Sequence, residues 1–317
     1  MKTPTTGEVS RSGEIRTPTT LRLSLRIVTA LALLAGVSFC QASASPGKLD
    51  GMEEQADANP TEIPFRLYND NLIVVKGSIG RIREVNFILD TGTSPTIIAE
   101  TLATRLKLRG QPGWIATLKG TTQAESLIVP HLQIGPLEAD SVKVAVEDLR
   151  STERMLGVSL GGIVGLDILS TANFSIDFQR REIVFGYVAT IEKAVPLATR
   201  APYLSVKAEV KGQQLRLLLD SGTPGLLLYR NRIDTGHEKP RFDPNRVVFT
   251  AGGLNQVGWL RADVVLGKHS LGAVDVAIVD VDSDPQNDFD GLLGFVKMGF
   301  RRVTFDFQNG LFGWDQR

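Results

Sequence analysis

The sequence contains almost no cysteine, and this absence excludes several kinds of chemistry. Its 317 residues include a single cysteine, Cys40, which lies in a segment that we expect to be removed. The mature protein is therefore expected to have no disulfide, no thiolate nucleophile and no cysteine-based metal site. Net charge is also absent, because 35 basic residues balance 35 acidic ones. This balance gives no reason to expect a nucleic acid or an acidic membrane surface as a partner.

Long apolar runs are scarce as well. The apolar stretch 27–39 is shorter than the roughly 20 residues that a membrane-spanning helix needs. Arg22 and Arg26 flank its start, and Ala42, Ser43 and Ala44 follow it. A basic region, an apolar core and a small-residue site are typical of a secretion signal. We therefore expect residues 1–44 to be cleaved and the protein to be exported, periplasmic or secreted, with no stable membrane insertion after cleavage.

The same N-terminal region leaves alternatives open. An uncleaved signal would anchor the protein in the membrane, and the true start codon could lie nearer Leu21. A lipoprotein modified at Cys40 is disfavoured, because Phe39 before it is bulky. Residues 1–44 carry five basic and two acidic residues, which leaves 30 and 33 in the remainder, a net charge of about −3. That remainder is long enough to bury a good core.

One short motif occurs twice. The chain reads ILDTGT at residues 88–93 and LLDSGT at residues 218–223. Each copy is an apolar run that ends on an aspartate, followed by a hydroxyl residue, glycine and threonine. Asp90 and Asp220 occupy the same position in the two copies, although they are far apart along the chain. Two carboxylates brought into one site can share a proton, which a single carboxylate cannot do.

The similarity extends well beyond the motif. Residues 161–169 (GGIVGLDIL) match residues 290–298 (DGLLGFVKM), and residues 174–186 match residues 303–314. Residues 132–148 resemble residues 264–280. These landmarks keep one order, and the spacing from the first copy to the second is nearly constant. We interpret them as two copies of one structural unit.

Each unit consists mostly of short, alternating apolar segments separated by glycine-rich turns, a pattern typical of strands. Hairpins are predicted over residues 72–93 and 203–223, and a short helix over residues 99–106. The predicted fold is all-β and bilobal, with a cleft between the lobes. We assign residues 45–60 to a flexible lead-in, 61–190 to the N-terminal lobe, 191–200 to a linker and 201–317 to the C-terminal lobe.

These motifs resemble those of aspartic peptidases of the retropepsin and pepsin type. In that family, apolar-apolar-Asp-Thr/Ser-Gly is followed later in the chain by apolar-apolar-Gly-apolar, found here at residues 163–166 and 292–295. The resemblance covers about residues 63–317 and is greatest to bacterial periplasmic retropepsin-like proteins. It implies two retropepsin-like lobes in a double-ψ barrel-like fold, fused in one chain, so that dimerisation is not required for the active site.

The resemblance also implies a mechanism. Asp90 and Asp220 would form a catalytic dyad that activates a water molecule to hydrolyse a peptide bond, with a polypeptide as substrate and no metal or cofactor. Six neighbours would support the dyad: Thr91, Gly92, Thr93, Ser221, Gly222 and Thr223. The hydroxyls of Thr91 and Ser221 would reach into the opposite lobe, and Thr93 and Thr223 would hydrogen-bond the carboxylates. Because such bonds lower a carboxylate pKa, we predict an acidic optimum.

Family members cover the cleft with hairpin flaps. Gly120, Thr121, Gly252 and Gly253 lie where such flaps are expected, between each aspartate motif and its later glycine element. Glycine lets a hairpin tip bend over a substrate. The first of these segments has no tyrosine, whereas the flap of pepsin has one. This absence favours an arrangement with two retropepsin-like flaps over the single flap of pepsin.

A non-catalytic peptide-binding module with the same cleft is the alternative function, but the presence of both Asp-Thr/Ser-Gly-Thr sets favours an enzyme. The acidic run at residues 280–290 suggests a calcium loop. It fails as an EF-hand, because Pro285 stands where glycine is required and Gly291 where glutamate is required. No metal site is predicted.

Overall fold

A computed structural model describes residues 26–29, 60–117, 120–186, 191–200, 202–250, 253–280 and 289–316. Strands dominate these residues, and the helices are short. The strands of the first half are β1 (Arg26–Thr29), β2 (Thr61–Pro64), β3 (Arg66–Tyr68), β4 (Leu72–Ile79), β5 (Ile82–Leu89), β6 (Ile97–Ala99), β7 (Gln111–Thr117), β8 (Gly120–Ile134), β9 (Leu137–Glu147), β10 (Gly162–Val164), β11 (Phe174–Asp177) and β12 (Glu182–Phe185). The helices are α1 (Glu100–Arg105), α2 (Arg150–Leu156) and α3 (Leu166–Leu169).

The second half repeats this succession. Its strands are β13 (Lys193–Pro196), β14 (Ala198–Arg200), β15 (Tyr203–Val210), β16 (Gln213–Leu219), β17 (Leu226–Tyr229), β18 (Arg241–Thr250), β19 (Gly253–Leu266), β20 (His269–Val279), β21 (Gly291–Leu293), β22 (Phe300–Asp306) and β23 (Leu311–Gln316). Short 3₁₀ turns over Arg230–Arg232 and Val296–Met298 stand where the first half has helices α1 and α3.

The two predicted hairpins are confirmed. Strands β4 and β5 pair antiparallel around a turn that contains Gly80, and β15 and β16 pair around Lys211 and Gly212. Lys211 and Gly212 have φ angles of 52° and 77°. Two successive positive φ angles are typical of the tight hairpin turn whose twist matches that of its strands.

Each half builds its own sheet, and the two sheets share one topology. The first has eight strands in the order β3-β4-β5-β10-β6-β9-β8-β7, and the second has nine in the order β1-β18-β19-β20-β17-β21-β16-β15-β14. The order β4-β5-β10-β6-β9-β8-β7 in the first sheet corresponds strand for strand to β15-β16-β21-β17-β20-β19-β18 in the second. The predicted all-β, bilobal fold with two duplicated lobes is therefore confirmed. We call the units that carry these sheets the first and second lobes.

A third sheet joins the lobes. Its six strands run β13-β23-β22-β11-β12-β2, so that β11 of the first lobe pairs with β22 of the second. The rings of Phe174 and Phe305 stack across this junction with their centroids 4.7 Å apart. Phe312 and Trp314 on β23 extend the buried aromatic cluster. Burying several aromatic side chains at the junction holds the lobes together.

Some elements were not among those predicted from the sequence. Residues assigned to a linker form strands β13 and β14, which belong to two different sheets. Helix α2 was not predicted. Strand β1 lies inside the expected signal segment and pairs in parallel with β18. Within the described ranges, no helix has the length and apolar character needed to cross a membrane.

Candidate functional site

Each motif aspartate comes directly after the second strand of one of the two predicted hairpins, β4–β5 and β15–β16. Strand β5 pairs in parallel with β10, and β16 pairs in parallel with β21. The pairing continues one residue further, because the amide of Asp90 donates to Val164 O and the amide of Asp220 to Leu293 O, each at 3.0 Å. The later glycine element of each repeat therefore holds its aspartate in place.

Steric constraints explain the glycine of that later element. A Cβ added to Gly294 would lie 1.8 Å from the carbonyl oxygen of Thr223, and one added to Gly165 would lie 2.4 Å from that of Thr93. No side chain fits at such distances. The aspartate loop and the glycine element can therefore pack only if these positions carry no Cβ.

The hydroxyl residues after the aspartates tie the lobes together at the centre of the site. Thr91 Oγ1 donates to Leu219 O and accepts from the amide of Ser221, both at 3.0 Å. Reciprocally, Ser221 Oγ donates to Leu89 O at 3.1 Å and accepts from the amide of Thr91 at 3.0 Å. These four buried hydrogen bonds fix the separation and orientation of the two aspartate loops.

The two carboxylates meet inside this framework. Asp90 Oδ1 accepts from the Gly92 amide at 2.8 Å, and Oδ2 accepts from Thr93 Oγ1 at 3.0 Å. Asp220 Oδ1 accepts from the amides of Gly222 at 2.7 Å and Thr223 at 3.2 Å. Its Oδ2 accepts from Thr223 Oγ1 at 2.6 Å. All six predicted neighbours thus lie at the pair.

Burial raises the pKa of both carboxyl groups. For Asp90, burial and the charge of Asp220 place the pKa well above its usual value, against the lowering effect of the bonds from Gly92 and Thr93. For Asp220, burial raises the pKa, and bonds from Thr223, Asp90 and Gly222 oppose the rise. The threonines act in the direction predicted from the sequence, but desolvation outweighs them. A proton shared between the two groups is therefore held more tightly than by isolated aspartates.

Neither carboxylate is exposed to solvent, with both residues at 0%. In each lobe, one candidate flap hairpin lies between the aspartate and its glycine element. In the first lobe it is β7–β8, where Thr117 pairs with Gly120, and in the second it is β18–β19, where Thr250 pairs with Gly253. Residues 118–119 and 251–252, between the paired strands, lie outside the described part of the chain. Gly120, Thr121 and Gly253 belong to these strands, and Gly252 lies outside the described residues. Gly120, Thr121 and Gly253 thus lie at the ends of paired strands, where the flap segments are expected.

Two further polar residues at the site escaped prediction from the sequence. Asp167 accepts from the amide and the hydroxyl of Thr96, whose Oγ1 in turn accepts from the Gly165 amide. Asn71 of the first lobe donates to Gly222 O of the second lobe at 2.6 Å. The signal that could have revealed both is a mismatch between the repeats, which place Val296 and Pro202 at the equivalent positions.

Comparison with known proteins agrees with this geometry. The aspartyl protease family model matches residues 75–168 and again residues 206–296, which together make up more than half of the chain. The chain therefore belongs to the aspartyl protease family, in a two-lobed form in which each lobe carries one match. Membership implies a polypeptide as substrate. No curated protein matches the chain.

Among the described residues, no group of three or more acidic, histidine or cysteine side chains is arranged to hold a metal ion. Most of the acidic run singled out in the sequence, residues 281–288, lies outside the described part.

Gly92→Ala tests how closely the loops must approach. A Cβ at Gly92 would lie 2.7 Å from Asp220 Cγ, so the carboxylate must move. We expect kcat for peptide hydrolysis to fall by about 10²-fold, the scale of an ångström-sized misplacement. Gly212→Ala is the control: that turn has open space but a φ of 77°, so alanine should lower stability and leave kcat unchanged. Equal kcat in the two variants would contradict a tight dyad.

Proposed function

We propose that the protein is an exported aspartic endopeptidase. The observation that supports this most directly is the buried pair of carboxylates, Asp90 and Asp220, fixed by hydroxyl bonds between two duplicated lobes. Export is supported by the signal-like composition of residues 1–44. A pair held this closely favours sharing one proton, which is the protonation state that acid–base hydrolysis needs.

The proposed reaction needs only this pair and a water molecule. The ionised carboxylate removes a proton from the water as its oxygen attacks the peptide carbonyl carbon. The protonated carboxyl donates a hydrogen bond to the carbonyl oxygen and then supplies the proton that the leaving amine requires. Aspartic proteases are a standard example of two carboxylates that share a proton. Since both aspartates are buried, a substrate can reach them only if the residues around them move. In this proposal, hairpins β7–β8 and β18–β19 would act as the flaps that open.

Activity against an unfolded protein is the direct test. The full chain, expressed with its leader in an exporting bacterial host, should cleave a denatured substrate with a maximum below neutral pH. Activity should decline at higher pH as the dyad loses its shared proton, and the raised pKa of Asp90 should place that decline above the range of isolated aspartates. Inhibition by pepstatin would support the assignment.

A double variant, Asp90→Asn with Asp220→Asn, purified in parallel, controls for contaminating peptidases. A maximum above neutrality, or equal activity in the double variant, would contradict the proposal. Peptide binding by the wild type without cleavage would favour the silent binding module. Recovery of the protein in the membrane fraction with its leader intact would contradict cleavage of the signal.

A further inference from the structure

Asn71 makes a contact between the lobes that the second repeat does not make from its equivalent position, residue 202. Asn71 lies in the turn between β3 and β4 and is 1% exposed. Its Nδ2 donates to the carbonyl oxygen of Gly222, in the second aspartate loop, at 2.6 Å. The contact thus joins the turn between β3 and β4 in the first lobe to the loop of the second lobe that carries Asp220.

The peptide group that Asn71 contacts also faces a carboxylate. Gly222 O and Thr223 N belong to the same peptide unit, and Thr223 N–H points to Asp220 Oδ1 at 3.2 Å. The same N–H also reaches the carbonyl oxygen of Asp220 at 3.2 Å. Donation to a peptide carbonyl polarises the unit and strengthens the bond that its N–H donates. Asn71 therefore acts on the Asp220 carboxylate through a chain of two hydrogen bonds.

A purely structural role does not explain why an asparagine stands at position 71. Its Oδ1 is buried and has no hydrogen-bond partner. A buried acceptor without a partner lowers stability, and a leucine of similar size would avoid that loss. The feature of Asn71 that a leucine lacks is its donor to Gly222.

The first aspartate loop receives no equivalent contact from residue 202. Pro202 stands directly before β15, as Asn71 stands before β4, but it is exposed and its side chain has no donor. The hydroxyl bonds differ in the same sense, since Thr223 Oγ1 lies 2.6 Å from Asp220 Oδ2 and Thr93 Oγ1 lies 3.0 Å from Asp90 Oδ2. Both differences favour negative charge on Asp220.

We propose that Asn71 is a positioning residue that keeps the negative charge of the dyad on Asp220. In the reaction proposed above, on which this assignment rests, Asp220 is then the general base and Asp90 the acid. The titratable group that faces Asp220 is Asp90, and the interaction between the two side chains lowers the pKa of Asp220. The described hydrogen bonds to this carboxylate from its own loop come from Gly222 and Thr223, which are uncharged.

Carbon-13 NMR of aspartate carboxyl groups in the full chain tests the inference without turnover. Asp220→Asn and Asp90→Asn assign the two dyad signals, and the lower titration midpoint should belong to Asp220. Asn71→Leu removes the donor and should raise that midpoint by roughly half a pH unit, given how modestly neighbouring hydrogen bonds strengthen one another. The acid limb of the pH profile of kcat/KM should move up by the same amount. Asn71→Ala should shift both in the same direction and serves if the leucine variant does not fold.

Asn173→Leu is the matched control. Asn173 is also a buried asparagine whose side chain crosses between the lobes, accepting from the amide of Phe307 at 2.8 Å. Its loss should lower stability without moving the Asp220 midpoint. An unchanged midpoint in Asn71→Leu, or a lower midpoint that belongs to Asp90, would overturn the inference. An inactive wild type with the expected titration would instead contradict only the proposed peptidase function.

Discussion

Asp220→Asn is expected to lower kcat for peptide hydrolysis by at least about 10³-fold, within the range assigned to positioned acid–base groups. Asp90→Asn should lower it to a similar extent, because one variant lacks the base and the other the acid. The double variant should be no worse than either, since residues that act as a unit do not contribute additively. The measurement is single-turnover cleavage of a fluorogenic peptide at the optimum pH of the wild type.

Asp306→Asn makes the same chemical change at a buried aspartate outside the site. Asp306 accepts from the amide of Asn309 in its own turn, 3.0 Å away, and should be replaceable with less than about a twofold change in kcat, since it lies outside the acid–base pair. Turnover that survives either dyad substitution would exclude the proposed mechanism. A comparable loss in Asp306→Asn would show that the assay reports folding.

Thr91→Val is expected to destabilise the protein by at least about 2 kcal/mol, because it leaves two buried backbone groups unpaired. The hydroxyl of Thr91 is the partner of both groups, Leu219 O and Ser221 N–H. Valine has the same shape but offers neither a donor nor an acceptor, and each unpaired buried group costs about 1–3 kcal/mol. The free energy of unfolding of the wild type and the variant is measured by equilibrium unfolding in urea, from the midpoint and the slope of each transition.

Thr304→Val is the matched comparison, because Thr304 also joins the lobes through a buried hydroxyl. Its partner is the hydroxyl of Ser175 at 2.8 Å, and a hydroxyl can rotate toward another acceptor. The loss should be about 1 kcal/mol, the usual net value of one hydrogen bond. If Thr91→Val were no more destabilising than Thr304→Val, the central hydroxyl bonds would not hold the lobes in register.

The features that follow from local repetition could be predicted from the sequence. The paired hairpins, the helix near residue 100 and the position of each aspartate at a strand end all depend on neighbouring residues, so one reading of the repeat predicts both copies. The family's hydroxyl pattern also directs attention to Thr91 and Ser221, whose side chains lie at the lobe contact.

The features that escaped prediction depend on contacts between distant residues or on weak local signals. Nothing near Asn71 indicates that Gly222, 151 residues away, will accept its amide. Strands β13 and β14 do not pair with each other. Each pairs with a strand that belongs to a different sheet, β13 with β23 and β14 with β15. Helix α2 is seven residues long, and Gly157, which follows it, has a backbone conformation in the left-handed region. Too few residues define its apolar face for its period to be recognised.

Because one sheet joins the lobes, the two carboxylates should stay together when the protein is diluted. The strands of this sheet come from the start of the first lobe (β2), from the connection between the lobes (β13) and from the end of the chain (β23). Each half of the dyad is therefore tethered to the other at a fixed local concentration, which does not depend on how much protein is present. A site assembled from separate subunits would come apart below its dissociation constant, whereas this one keeps both carboxylates together in a single molecule.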